Sequence, residues 1–123
     1  MAFPSPAADY LDDRIDLNEL IIAHPSATFF FKVETDAMHG DCITPGSLAV
    51  IDRALKPRNN DIIVANVNGE LIMRRIENRV EGKFLTASHN KFKNIKIEED
   101  LQVFGVVAAV IANPNHITHV RLG

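Results

Sequence analysis

Few side chains in this sequence stand together in a way that could hold a metal, move a proton or attack a carbonyl. His116 and His119 are three residues apart, a spacing that would let two imidazoles face one ion. They lie beyond Pro114 in a polar tail with no acidic residue between them. Two ligands without a third make a poor metal site, so no metal is expected. His39, Asp41 and Cys42 surround a single glycine, and a thiol beside an imidazole and a carboxylate could in principle be reactive. A polar turn next to a small buried cysteine explains the same residues with fewer demands. The six glycines are scattered singly, so there is no phosphate-cradling loop and no nucleophile elbow, and no cofactor is expected.

The elements that would carry these residues are short. Ser5-Pro6 can open a helical turn, with Ser as cap and Pro in the first helical position. Asp16 stands three residues before Glu19, the spacing of a capping box. Leu17, Leu20, Ile21 and His24 follow at helical spacing and predict a short amphipathic helix that Pro25 ends. From residue 27 the pattern changes to β-type runs at 28–33, 47–52, 61–67, 70–76, 83–88 and 101–111. Asn68-Gly69 between two of them predicts a tight hairpin. Runs of this kind with no helix between them predict a mostly β, antiparallel fold, with the early helix as an appendage. The run from Gln102 to Ile111 is long and nearly all apolar. An open apolar edge of that length would aggregate, so it is either a central strand or the contact of a homodimer.

Composition bounds the function. The chain has 123 residues, enough for one core. It is 46% hydrophobic and 24% charged, which is ordinary globular usage. Thirteen Lys and Arg against sixteen Asp and Glu leave a net charge of −3. A charge-driven nucleic-acid binder would be basic, so no direct sequence-specific DNA binding is expected. A single cysteine excludes an internal disulfide scaffold. No apolar run approaches the roughly 18 residues of a membrane span, and the N-terminus lacks the basic-then-apolar order of a signal peptide. A soluble, cytoplasmic protein with no membrane partner is the expectation.

Longer blocks carry more information. These are Phe3-Pro4-Ser5-Pro6-Ala7-Ala8-Asp9-Tyr10, Arg14-Ile15-Asp16-Leu17-Asn18, His24-Pro25-Ser26-Ala27-Thr28, Pro45-Gly46-Ser47-Leu48-Ala49-Val50-Ile51-Asp52 and Val103-Phe104-Gly105-Val106-Val107. In this order and spacing the chain resembles the UmuD branch of the LexA-like serine-lysine self-cleaving peptidases, up to about Asn115. The first blocks are particular to that branch; the central ones are shared with LexA and phage repressors. The resemblance implies a LexA/UmuD-type compact antiparallel β domain over residues 27–112. An N-terminal arm and short helix would occupy 1–26, and a tail would occupy 113–123. The tail from His116 to Gly123 extends past the resemblance and has no reading.

The resemblance also implies two departures from a working peptidase. The family places its nucleophilic serine directly before a methionine, and here Ala37 precedes Met38. It places its lysine on the strand after the hairpin, and here Arg74 holds that position in Met73-Arg74-Arg75-Ile76. A methyl group cannot attack a carbonyl, and a guanidinium does not give up its proton to act as a base. Thr35, Thr44 and Ser47 are near in sequence but outside the motif position. Arg74, unable to be neutral, must either pair with a carboxylate, Asp36 or Glu34, or snorkel out of an opened groove.

The chain starts at Met1-Ala2-Phe3, where the family's processed product starts, with Ala2 in place of a glycine. The function the resemblance implies is a non-catalytic, ready-processed UmuD-like accessory subunit of an error-prone translesion polymerase in the DNA-damage response. The implied partners are a UmuC-type polymerase, the RecA filament and a second copy of the chain through the strand Gln102 to Ile111. Two alternatives stand beside it. One is an autopeptidase whose serine was changed to alanine at position 37; the other is a decoy forming mixed dimers with a host UmuD. A repressor is disfavoured, because a helix-turn-helix domain has no room in this sequence.

Overall fold

A computed structural model describes residues 15–112. The Ser5-Pro6 turn, the Phe3–Tyr10 block and the His116/His119 pair fall outside them.

Residues 15–27 form two short turns of helix. Helix α1 spans Leu17–Ile21, with the Asp16 carboxylate accepting from the Asn18 N–H at 2.9 Å. It buries none of its residues, and Leu17 and Leu20 face out. The helix stops three residues before His24, shorter than its apolar spacing predicts. Pro25 does not terminate it but opens a separate 3-10 turn, Pro25–Ala27. The break frees the His24 side chain, whose Nδ1 lies 2.7 Å from Asp52 Oδ2. The other Asp52 oxygen accepts from the Ala54 N–H at 2.8 Å. Burial alone would raise the Asp52 carboxyl; the His24 bond and the Ala54 N–H outweigh it and hold the carboxyl below its ordinary range.

The rest is one seven-stranded antiparallel sheet. Its strands are β1 (Thr28–Lys32), β2 (Leu48–Asp52), β3 (Ile62–Val67), β4 (Glu70–Arg79), β5 (Gly82–Thr86), β6 (Ile95–Lys96) and β7 (Gln102–Ile111). Their order across the sheet is β1-β2-β7-β3-β4-β5-β6. The mostly β reading therefore holds. The Asn68-Gly69 turn sits where it was predicted: Val67 pairs with Glu70, and both turn residues take positive φ (54° and 85°). The two-residue β6 has no periodic signal long enough to read from sequence; it forms by pairing Ile95 and Lys96 with Leu85 and Phe84.

Within the chain, β7 is a central strand, the second of the two readings of its apolar run. Its two neighbours share it unequally. β3 pairs with it from Gln102 to Val106, and β2 pairs with it from Val106 to Ile111. Among the described residues, no strand pairs with 108–111 on the side away from β2. The strand alternation of β3 places Val64 in one buried cluster, with Met38, Ile43, Ile51 and Met73, and Ile63 and Ala65 in another, with Leu85 and Val106. Both faces of the sheet are therefore used as core.

Candidate functional site

Ala37 lies in the loop between β1 and β2. That loop is closed at its base by Val33 and Ser47, whose backbone N–H and C=O meet at 2.8 Å, and by the Gly46 N–H on the Val33 carbonyl. Met38 anchors it in the core. The Ala37 N–H donates to Thr35 Oγ1 at 3.1 Å, and the Ala37 carbonyl accepts from the Ser88 N–H at 2.8 Å. Gly40 packs so closely on Ser88 that a Cβ there would sit 2.6 Å from the Ser88 carbonyl oxygen. These contacts hold Ala37 wholly buried, at 0% exposure.

Arg74 sits on β4, in register with Ile63 of β3. It is 8% exposed. One end of the guanidinium donates to the Met73 carbonyl at 2.8 Å. Its central carbon lies 4.9 Å from the centre of the Phe92 ring, within cation–π range. Among the described residues the buried Nε has no hydrogen-bond acceptor. Loss of solvent pulls its pKa down, and the field of Glu70 opposes that shift.

Neither expectation for Arg74 is met. Among the described residues no carboxylate lies within ion-pair distance of it, and it does not reach out to solvent. Asp36, the nearer candidate in sequence, is held by Lys91 Nζ at 3.2 Å and His89 Nε2 at 3.8 Å. The Lys91 bond is the main cause holding its carboxyl below the ordinary range. Glu34 is exposed. The ring of Phe92 takes the place that a carboxylate would fill.

A cleft of about 560 Å³ separates the chain leaving β1 from the first half of β4. Arg74 lines it, with Phe31, Leu71 and Phe92, and so do Thr35 and Asp36 just before Ala37. Ala37 itself is buried and is not part of the lining. Residues 70–74 pair with β3 on one side, while β5 joins β4 only from Arg75 onward. The cleft wall formed by residues 70–74 therefore has no strand partner on its other side among the described residues.

The other sequence candidates have structural tasks. Asp41 is ion-paired with Arg75 at 2.7 Å. Cys42 is exposed, in left-handed backbone conformation at φ 62°, and closes the 3-10 turn His39–Asp41. The expected buried cysteine is thus corrected: a residue that ends a turn at positive φ points out of it. Thr44 and Ser47 hydroxyls meet at 3.4 Å, with Ser47 buried. Among the described residues no three metal-ligating side chains come together, and no helix is long and apolar enough to cross a membrane.

Sequence reasoning extended a β-type run to Ser88, where the strand ends at Thr86, and passed over residues 89–92. Residues 88–92 supply Ser88 to Ala37, Lys91 and His89 to Asp36, and Phe92 to Arg74. Lys91 and Asp36 are 55 residues apart, and no local periodicity links them. The His24–Asp52 pair was missed for the same reason.

Comparison with known proteins places these features in a wider set. A family model described as Peptidase S24-like matches residues 1–108. Protein ImpA of Escherichia coli is 37% identical over 109 residues, covering 89% of this chain and 75% of that protein. Protein SamA of Salmonella typhimurium is 38% identical over 109 residues, with 89% and 76% covered. The LexA repressor of Shewanella sp. is 29% identical over 93 residues, with 73% and 45% covered.

Proposed function

The chain belongs to the Peptidase S24-like family, and from that premise we propose that it is a member that no longer cuts. It acts instead as a UmuD-like accessory subunit of a UmuC-type translesion polymerase in the DNA-damage response. One observation carries the non-cutting part. The two positions that the sequence resemblance assigns to nucleophile and base hold a fully buried methyl group, Ala37, and a guanidinium, Arg74. Acyl transfer needs an oxygen or sulfur nucleophile and a group that can take its proton. Alanine has no such atom, and arginine has donors only.

Partnership with the polymerase rests on the UmuD-type sequence blocks, among them His24 to Thr28. The structure adds to its support that this block is tied to the β domain through His24 and Asp52. The cutting and partnering halves are tested separately. Mixed with an intact UmuD-type substrate, with RecA filaments or at alkaline pH, the protein is expected to yield no processed product above a no-protein control. Co-expressed with a UmuC-type polymerase from the same source, it is expected to co-purify with it. A processed product would overturn the first half; clean separation of two folded proteins would overturn the second.

A homodimer belongs to the same proposal. Among the described residues no strand pairs with 108–111 of β7 on the side away from β2, and Ile111 is 49% exposed. An apolar strand with one free side is suited to pairing with its own copy about a two-fold axis.

A further inference from the structure

The turn between β3 and β4 carries chemistry that neither the cutting nor the partnering reading uses. Asn68 is the one asparagine in the sequence that a glycine follows. A backbone can attack its own side-chain amide at such a pair, because glycine puts no Cβ in the way. In that step the Gly69 nitrogen bonds to Asn68 Cγ and gives up its proton. The Cγ–N bond of the amide breaks, and ammonia leaves with that proton. Water then opens the five-membered imide at either carbonyl. One opening gives aspartate. The other gives isoaspartate, in which the main chain runs through the former side chain and is one carbon longer.

The fold both presents and restrains this amide. Asn68 and Gly69 are exposed, so water reaches them. Yet the Gly69 N–H, whose proton must leave, donates to Asn66 Oδ1 at 2.9 Å. That bond keeps the proton on the nitrogen and aims it at a different asparagine. Val67 pairs with Glu70 across the turn, and both turn residues hold positive φ. The closed ladder restricts the rotation by which the nitrogen would approach Cγ. We propose that Asn68 is a latent site of spontaneous conversion to aspartate and isoaspartate, kept closed by the Asn66 side chain and released when the hairpin opens. Isoaspartate lengthens a turn whose geometry is set by two residues. Either product places a carboxylate next to Gly69 and Glu70, adding like charge to the hairpin tip. The turn that sets the register of β4 on β3 is thereby weakened. A chain that has unfolded and refolded carries a chemical mark of it.

The test incubates the full chain at mildly alkaline pH, in native buffer and in urea. Aspartate and isoaspartate at position 68 are counted by peptide mass spectrometry. Asn59, Asn78 and Asn90, each followed by a residue with a side chain, serve as references. Conversion at Asn68 is expected to run about tenfold faster in urea, the equivalent of about 1.4 kcal/mol of protection. In native buffer Asn66→Ala should speed it about fivefold, as loss of one ordinary hydrogen bond would. Asn66→Asp keeps an acceptor oxygen and should leave Asn68 protected. Equal rates in buffer and urea, or a folded Asn66→Ala no faster than the unmodified chain, would overturn the proposal. Hydrogen exchange reads the guard on the unmodified protein even where Asn66→Ala does not fold. The Gly69 N–H should be protected, and exchange as fast as in urea would overturn the proposal.

Discussion

At the scale of single residues, the proposed loss of cutting has two independent causes, and this can be measured. Ala37→Ser places an oxygen at a site with 0% exposure, but the position on β4 that the resemblance assigns to the base remains a guanidinium with no lone pair to accept a proton. That variant is expected to stay inactive. Ala37→Ser combined with Arg74→Lys returns a group that burial can make neutral, and some processing of an intact UmuD-type substrate is the expected outcome. Activity of the single variant in the same assay would mean that another base serves the site. What an alanine and an arginine can do chemically is legible in sequence because a residue type alone excludes a role. The setting of Arg74 was not legible. Phe92, its stacking partner, reads as an ordinary apolar residue in a polar connector, and Lys91 and His89 take Asp36 from a distance that no spacing rule spans.

At the scale of elements, the strands and the hairpin could be read because they rest on local alternation and on one turn dipeptide. Helix α1 was over-extended because its apolar spacing continues to His24, while the fold recruits His24 to Asp52 instead. That recruitment has a pH signature. The folded Asp52 carboxyl titrates below its ordinary value of 3.8, so its contribution to stability is complete above that value. The contribution is lost as the pH falls through the depressed folded value, because the unfolded chain then binds the proton first. His24→Ala removes one hydrogen bond to a buried charged group and is expected to cost about 1.5–3 kcal/mol at neutral pH. Denaturant midpoints of variant and unmodified protein should converge in strong acid. A constant difference down to the lowest pH at which both fold would show that the pair is not the cause.

At the scale of the whole molecule, the arrangement of β7 turns the two sequence readings of its apolar run from rivals into neighbours. Residues Gln102–Val106 pair with β3, and among the described residues no strand pairs with 108–111 on the side away from β2. Val106 is buried, so a charge there would unfold the domain and say nothing about assembly. Ile111 is 49% exposed, and Ile111→Lys is the informative change. Sedimentation at tens of micromolar protein is expected to show a dimer for the unmodified chain and a folded monomer for Ile111→Lys. A 13.6 kDa monomer for the unmodified chain would remove the homodimer from the proposed function.

The divided ladder of β7 also sets a clock. Successive amides of an extended strand point to opposite sides, so along residues 108–111 every second N–H faces β2 and the others face the side where no described strand pairs. In an isolated copy those two sets should trade their protons for deuterium at different rates, slow and fast in alternation. Where a second copy closes that side, the fast set becomes slow while the β2-facing set changes little. The ratio between the two rates then depends on protein concentration, and it reports the affinity of the pair from within one strand.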